Sequence, residues 1–394
     1  MFRKILFWMH LVCGVGAGLV VLMMSATGVI LTYERQMLAR EDRVYFVEPA
    51  AGQQRLPASE LIRLASNESF QPTTLTYHND LASPAILRAG RSGTRHLNPY
   101  TGEIHQPHSD SLDSFFSTVT GWHRWFNRTG DDRGTARMIT GASNLMFLFL
   151  VLSGIYLWLP AIYSWSTMRL RLWFHPNAKT GNARDFNWHH VFGIWAAIPL
   201  VVIVATATVF YYPWANNLVY RLAGEEPPQR GLAVQAEEFR INIPAGAEQM
   251  TINDLFVVAA REAGDWNTLT LTLPGAETAV ASFAIDQGNG GQPQKRHNMH
   301  INPYTGEVVE YAPFTSLSAG RQARSWVRFL HTGEALGIAG QTVAGLASLA
   351  AVLMVWTGLS LALYRFRRWL QRQRKSTITL AQADAVSEVK IIRE

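Results

Sequence analysis

Five of the twelve histidines stand in or beside long apolar stretches of this 394-residue chain. His10 lies inside the first stretch. His189 and His190 open the third, and His123 and His331 precede the second and fourth. An ionisable side chain in such surroundings is costly and usually faces a bundle interior. A single histidine of this kind is as readily a hydrogen-bonded interfacial residue, but two pairs are harder to explain that way. Zinc usually takes four ligands, and each pair supplies two. Haem iron takes four ligands from the porphyrin and two axial ligands from protein, so facing imidazole pairs suit b-type haem. His10 with His189, and His123 with His331, are the candidate axial ligands of two haems b. No Cys-x-x-Cys-His attachment motif is present, and the one cysteine, Cys13, lies inside the first apolar stretch.

An internal repeat selects these pairs. The phrase HLNPYTGEI at His96–Ile104 returns as HINPYTGEV at His300–Val308, 204 positions later. The same offset joins Trp122 to Trp326, Arg124 to Arg328, Gly141 to Gly345, and Ser153–Gly154 to Thr357–Gly358. A second offset, 179, joins His10 to His189, Gly14 to Gly193, and Ala26–Thr27 to Ala205–Thr206. The chain reads as two copies of helix, outer domain, helix, arranged as parallel repeats. His10 and His189 are equivalent and face each other across the dyad, as bundle cofactor sites are built. Neighbouring helical residues point about 100° apart, so His190 is the alternative ligand to His189. The outer pair is displaced: His123 falls on Val327 and His331 on Asn127, a shift of four residues. That is about one turn, so both still share an inward face. Arg124 and Arg328, beside that pair, are candidate propionate contacts and equally candidate headgroup anchors.

Membrane helices must position these residues. Four stretches carry no Asp, Glu, Lys or Arg: between Lys4 and Glu34, Arg137 and Arg169, Asp185 and Arg221, and Glu334 and Arg365. Each exceeds the roughly 20 residues a spanning helix needs. The expected layout is a first span over 1–33, an outer domain with an interfacial helix over 34–137, and a second span over 138–165. A link over 166–185, a third span over 186–213, a second outer domain over 214–334, a fourth span over 335–364 and a tail over 365–394 follow. The first apolar run, Ile5–Tyr33, is longer than a signal-peptide core, which favours an uncleaved helix. Lys and Arg collect before the first span, in the link and after the fourth, which predicts cytoplasmic termini in a bacterial inner membrane. The net charge of +6 is then mainly a topology signal, with lipid rather than nucleic acid as the partner.

Asn-Pro-Tyr-Thr-Gly is a turn, because Pro presets φ and Gly takes a conformation other residues avoid. Its flanks TRHL, EIHQ, HNMHI and EVVEY read as hairpin strands, and TLTLTL and AVASFAI as further strands. The outer histidines His78, His96, His105, His108, His297 and His300 show no zinc-like spacing, so no metal site is assigned there. No Gly-x-Gly-x-x-Gly loop marks a dinucleotide site, so the electron donor, a quinol or another protein, comes from elsewhere.

A strand–NPxTGE(V/I)–strand hairpin between membrane helices, with WHRW at 122–125 and GIYLW at 154–158, resembles the PepSY-associated transmembrane helix proteins. Length, four spans and two outer domains are similar to their ferric-siderophore reductase branch. The resemblance implies an α-helical integral membrane protein with two α+β PepSY-like periplasmic domains. It also implies haem b in the membrane and reduction of ferric siderophores outside it. An electron conduit to a periplasmic redox partner, or a non-enzymatic membrane scaffold, is the alternative.

Overall fold

The computed structural model describes residues 1–90, 93–105, 111–160, 162–228, 243, 246–273 and 280–391, with side chains up to 373; His108 lies outside them. The first half of the chain forms α1 (Phe2–Leu31), α2 (Glu34–Glu41), α3 (Ala58–Ala65), β1 (Thr74–His78), β2 (Ala85–Arg88), β3 (Thr94–Leu97), β4 (Ile104–His105), α4 (Ser111–Trp125) and α5 (Asp132–Trp158). The second half forms α6 (Trp165–Leu172), α7 (Gly181–Tyr211), α8 (Pro213–Leu222), α9 (Ile252–Ala263), β5 (Thr268–Thr272), β6 (Ala281–Asp286), β7 (Arg296–Ile301), β8 (Val308–Ala312), α10 (Ala319–Thr332) and α11 (Gly337–Ile391). These elements make two compact units. One holds Met1–Thr32, Thr118–Tyr211 and Thr342–Glu394, and the other Tyr33–Ser117 and Tyr212–Gln341.

The first unit is helical. Four helical stretches among the described residues, beginning at Phe2, Asp132, Gly181 and Glu334, are long and apolar enough to cross a membrane. Helix α5 starts at Asp132, where an acidic first turn complements the helix dipole. It stops at Trp158, because Pro160 disfavours a helical Leu159. The stretch expected as a span over 138–165 falls largely on this helix, which runs Asp132–Trp158. Small residues let the helices approach closely. Val151, Ala196, Leu200, Ala347, Ala350 and Ala351 form a buried cluster from α5, α7 and α11. Asn144 on α5 donates to the Thr208 hydroxyl (2.9 Å) and the Val204 carbonyl (3.2 Å) on α7.

The second unit is built on one eight-stranded antiparallel sheet in the order β4-β3-β2-β1-β5-β6-β7-β8. Strands alternate buried and part-exposed residues, as in β1 and β5, which gives the sheet one apolar face. Leu61, Leu75, Leu87, Leu97, Ala259, Leu269, Leu271 and Phe283 form its core with α3 and α9. The two halves, expected as two domains, share this sheet. Strands β1 and β5 would each be a free edge, and pairing them satisfies their backbone groups. Leu75 pairs with Leu271 at the join, and the Thr76 and Thr270 hydroxyls lie 2.8 Å apart. The ladders on each side match. Leu75 pairs with Leu87, which pairs with Arg95, and Leu271 pairs with Phe283, which pairs with Met299.

The recurring phrase forms the same turn twice. Gly102 N–H donates to Asn98 O and Gly306 N–H to Asn302 O, both at 2.9 Å. The Asn98 side chain accepts from the Tyr100 backbone, and that of Asn302 from Tyr304, each at 2.9 Å. Gly102 and Gly306 have φ of 74° and 70°, the left-handed region that favours glycine.

Candidate functional site

In the helical unit, the His10 ring on α1 meets Ser153 and Gly154 on α5. His10 Nδ1 lies 2.8 Å from Ser153 Oγ. A hydroxyl has one hydrogen, and that of Ser153 points to the Phe149 carbonyl at 2.6 Å. Ser153 Oγ therefore accepts from His10, Nδ1 carries the proton, and Nε2 carries the lone pair. Gly154 lies beside the ring: a Cβ there would stand 3.5 Å from His10 Cε1.

His189 on α7 repeats the arrangement on α11. Its Nδ1 lies 3.0 Å from Thr357 Oγ1 and 3.1 Å from the Met354 carbonyl. A carbonyl only accepts, so Nδ1 is again the protonated nitrogen and Nε2 holds the lone pair. Thr357 gives its own hydrogen to the Leu353 carbonyl at 2.8 Å. A Cβ on Gly358 would stand 3.2 Å from His189 Cε1. His190 is different. Its Nδ1 reaches the Phe186 carbonyl at 2.8 Å and its ring stacks near Phe186, both on its own helix. Only His189 of the adjacent pair makes the interhelical contact to α11.

These residues fit an axial ligand set. Histidines that bind metal through one nitrogen usually donate the other to an oxygen, which fixes tautomer and ring orientation. Ser153 and Thr357 supply that oxygen, and Gly154 and Gly358 leave room beside each ring. The equivalence of Ser153–Gly154 with Thr357–Gly358 is visible in the sequence, but its role as a seat for the histidines depends on which helix faces which.

His123 closes α4 and has the same kind of seat. Its Nδ1 lies 2.9 Å from Thr27 Oγ1 on α1, and Thr27 donates to the Met23 carbonyl at 2.7 Å. Gly28 lies beside the ring, with a would-be Cβ 3.6 Å from Cε1. His331 lies in the last turn of α10, in the other unit. The two helices also end differently in the repeat register. Phe126 and Asn127 both take φ of 53° and end α4, whereas α10 continues to Thr332 before Gly333 turns it at φ 77°. Arg124 stacks over Trp125 at 4.7 Å, and Arg328 over Phe329 at 5.7 Å.

In the sheet unit, His96 and His300 occupy equivalent strand positions. His96 stacks on Tyr45, ring centres 4.7 Å apart, with Nε2 3.9 Å from Asp42. Burial pushes its pKa down to about 4 against the pull of Asp113. His300 Nδ1 meets Ser282 Oγ at 3.0 Å, and its Nε2 faces Glu310 at 3.9 Å. A cavity of about 670 Å³ in this unit is lined by Arg43, Phe46, His78, Asn79, Asp80, Ser83 and Asn267. Burial lowers the pKa of His78 there.

Comparison with curated proteins returns no match. The family model described as the PepSY-associated TM region matches residues 7–250 and again 232–383. Those two matches take in both halves of the bundle and the whole shared sheet, and the chain belongs to the PepSY-associated TM family.

Proposed function

We propose that this protein is a di-haem b electron-transfer protein of a bacterial inner membrane, which reduces ferric siderophores on the periplasmic side and releases Fe(II). The observation that carries the reading is the repeated histidine seat in the bundle. His10 on Ser153–Gly154 and His189 on Thr357–Gly358 each present an Nε2 lone pair from repeat-equivalent positions. When bound, haem closed by two histidines supplies a one-electron carrier that does not bind oxygen or substrate at iron. The hydroxyls of Ser153 and Thr357 hold the ligand tautomer, and the glycines admit the rings.

A second haem is expected on the outer histidines. His123 carries the structural support for it, through Thr27 and Gly28, and His331 carries the sequence argument. The two copies of helix, outer domain and helix are read as one duplicated unit, with both termini cytoplasmic. Siderophore iron is already saturated with oxygen ligands, so it is reduced by outer-sphere transfer near the outer surface. Fe(II) binds hard oxygen donors less tightly than Fe(III), and release follows without cutting the chelator.

The test is an optical spectrum of the purified protein followed by anaerobic mixing of its reduced form with ferric siderophores. A Soret band is expected, with sharp α and β bands on reduction that fade as added ferric chelate reoxidises the haem and Fe(II) forms. A protein purified without a Soret band from haem-replete cells would reject the reading.

A further inference from the structure

A second cavity, of about 380 Å³, lies in the helical unit and is lined by Phe174, His175, Pro176, Ala178, Arg184, Trp188 and Phe192. Three of these residues form an aromatic box. Phe174 sits edge-on to Trp188 at 6.3 Å and to Phe192 at 5.1 Å, and Trp188 is perpendicular to Phe192 at 6.2 Å. The box is held open by a specific anchor. Buried Asn187 on α7 donates to the Leu170 carbonyl at 2.7 Å and the Trp173 carbonyl at 3.1 Å, and accepts from the His175 backbone at 2.9 Å. Those bonds tie the segment after α6 to α7 and fix where Phe174 and His175 stand.

The polar groups are fixed as well. Arg184 lies over the Trp188 ring at 5.3 Å. Its Nε and Nη2 donate to Asp185 at 3.1 and 2.9 Å. Asp185 is 3% exposed and also accepts from Ser360 on α11 at 2.6 Å. A carboxyl this buried needs hydrogen-bond partners, and the pairing holds the half-exposed Arg184 guanidinium at the cavity wall. Trp188 and Phe192 are the residues one before and three after His189. At 1.5 Å rise per residue they bracket its height on α7.

We infer that this box binds the ring of a membrane quinol, the electron donor. The inference rests on the proposed function, which needs a donor. Flat aromatic walls suit a planar ring, which prefers edge-to-face or offset contact. The imidazole of His175 can accept a quinol hydroxyl hydrogen, and a guanidinium can donate to the oxygen of the quinone. The volume suits a substituted ring and the start of its isoprenoid tail. A position at the start of an apolar helix suits a molecule whose head sits at the membrane interface. Oxidation of one quinol to quinone breaks two O–H bonds and releases two protons and two electrons. That is enough to reduce two equivalents of ferric chelate by one electron each, with protons leaving by way of His175.

Decylubiquinone binding to the detergent-purified full chain, followed by calorimetry, tests this. Saturable binding is expected. Trp188→Leu and His175→Ala each weaken it roughly tenfold, the scale of one lost aromatic or hydrogen-bonded contact. Trp165→Leu, which removes an exposed aromatic outside the box, leaves it unchanged. No saturable binding in the wild type, or wild-type affinity in both box variants, would overturn the inference. The readout does not need haem. Binding at the box by a protein that never acquires haem would therefore sink the proposed function alone. A haem-loaded protein whose box variants bind decylubiquinone as well as wild type would sink only the quinol site.

Discussion

His10 and His189 in the helical unit, and His96 and His300 in the sheet unit, are both pairs of repeat-equivalent histidines, yet their Nε2 atoms meet different surroundings. In the bundle, each Nδ1 gives its hydrogen to a hydroxyl or carbonyl oxygen, and each Nε2 keeps a lone pair. In the sheet, the His96 and His300 imidazoles each turn Nε2 toward a carboxylate, Asp42 or Glu310, at 3.9 Å. An imidazole seated on Ser153 or Thr357 holds its proton on Nδ1, the tautomer the proposed axial role requires. Repeat equivalence therefore does not separate the two pairs, and the partners of each Nε2 do.

The largest effect expected separates these pairs directly. His10→Ala or His189→Ala should remove about half of the bound haem, one site of two. His300→Ala should leave the haem-to-protein ratio unchanged, as pyridine haemochrome assays would show. A full haem complement in His189→Ala together with a loss in His190→Ala would move the site to the neighbouring residue.

The seats themselves give the next effect. Thr357→Val removes the oxygen that accepts from His189 and should weaken haem retention about 10–100-fold, the usual cost of losing such a partner. Thr357→Ser should restore it. Gly358→Ala places a methyl 3.2 Å from the ring, against 3.5 Å for Gly154→Ala, so the first should release haem more readily. Equal retention in both would argue against the glycines as seats.

In the sheet, the copied turns differ in tolerance. An alanine Cβ at Gly102 would run into Leu64, and φ there is 74°. At Gly306 it would meet the flexible Met250 at 3.1 Å. Gly102→Ala should cost about 1–3 kcal/mol in thermal unfolding, and Gly306→Ala less. The smallest effect concerns His96. Its folded pKa of about 4 lies below the ordinary 6.5, so the unfolded chain binds the proton first as pH falls. Stability is complete above pH 6.5 and declines toward pH 4. Each pH unit in that window costs at most about 1.4 kcal/mol, less for the part of the ring that water reaches. His96→Leu should flatten this part of the acid profile in unfolding scans. An unchanged profile would show that another group sets it.

Much of this was legible in the sequence, and for identifiable reasons. Four charge-free runs are long enough that only spanning helices explain them, and the strands TRHL, HNMHI and TLTLTL follow the two-residue period of a half-buried sheet. The helix ends were not legible in the charge-free limits. Charge-free limits do not register that Asp132 can begin a helix or that Pro160 ends it. The joining of both halves through β1 and β5 was not legible, because backbone pairing between distant edge strands leaves no mark in side-chain periodicity. The hydroxyl–glycine seats lay in plain view as repeat matches. Their meaning required knowing that α1 lies against α5, and α7 against α11.

Low-temperature electron paramagnetic resonance of the oxidised protein, wild type beside His189→Ala, tests the bundle site most directly. Two low-spin ferric signals of bis-imidazole haem are expected in the wild type, with one of them lost in His189→Ala. A wild-type spectrum without low-spin ferric haem, or one that His189→Ala leaves untouched, would contradict the assignment of His10 and His189.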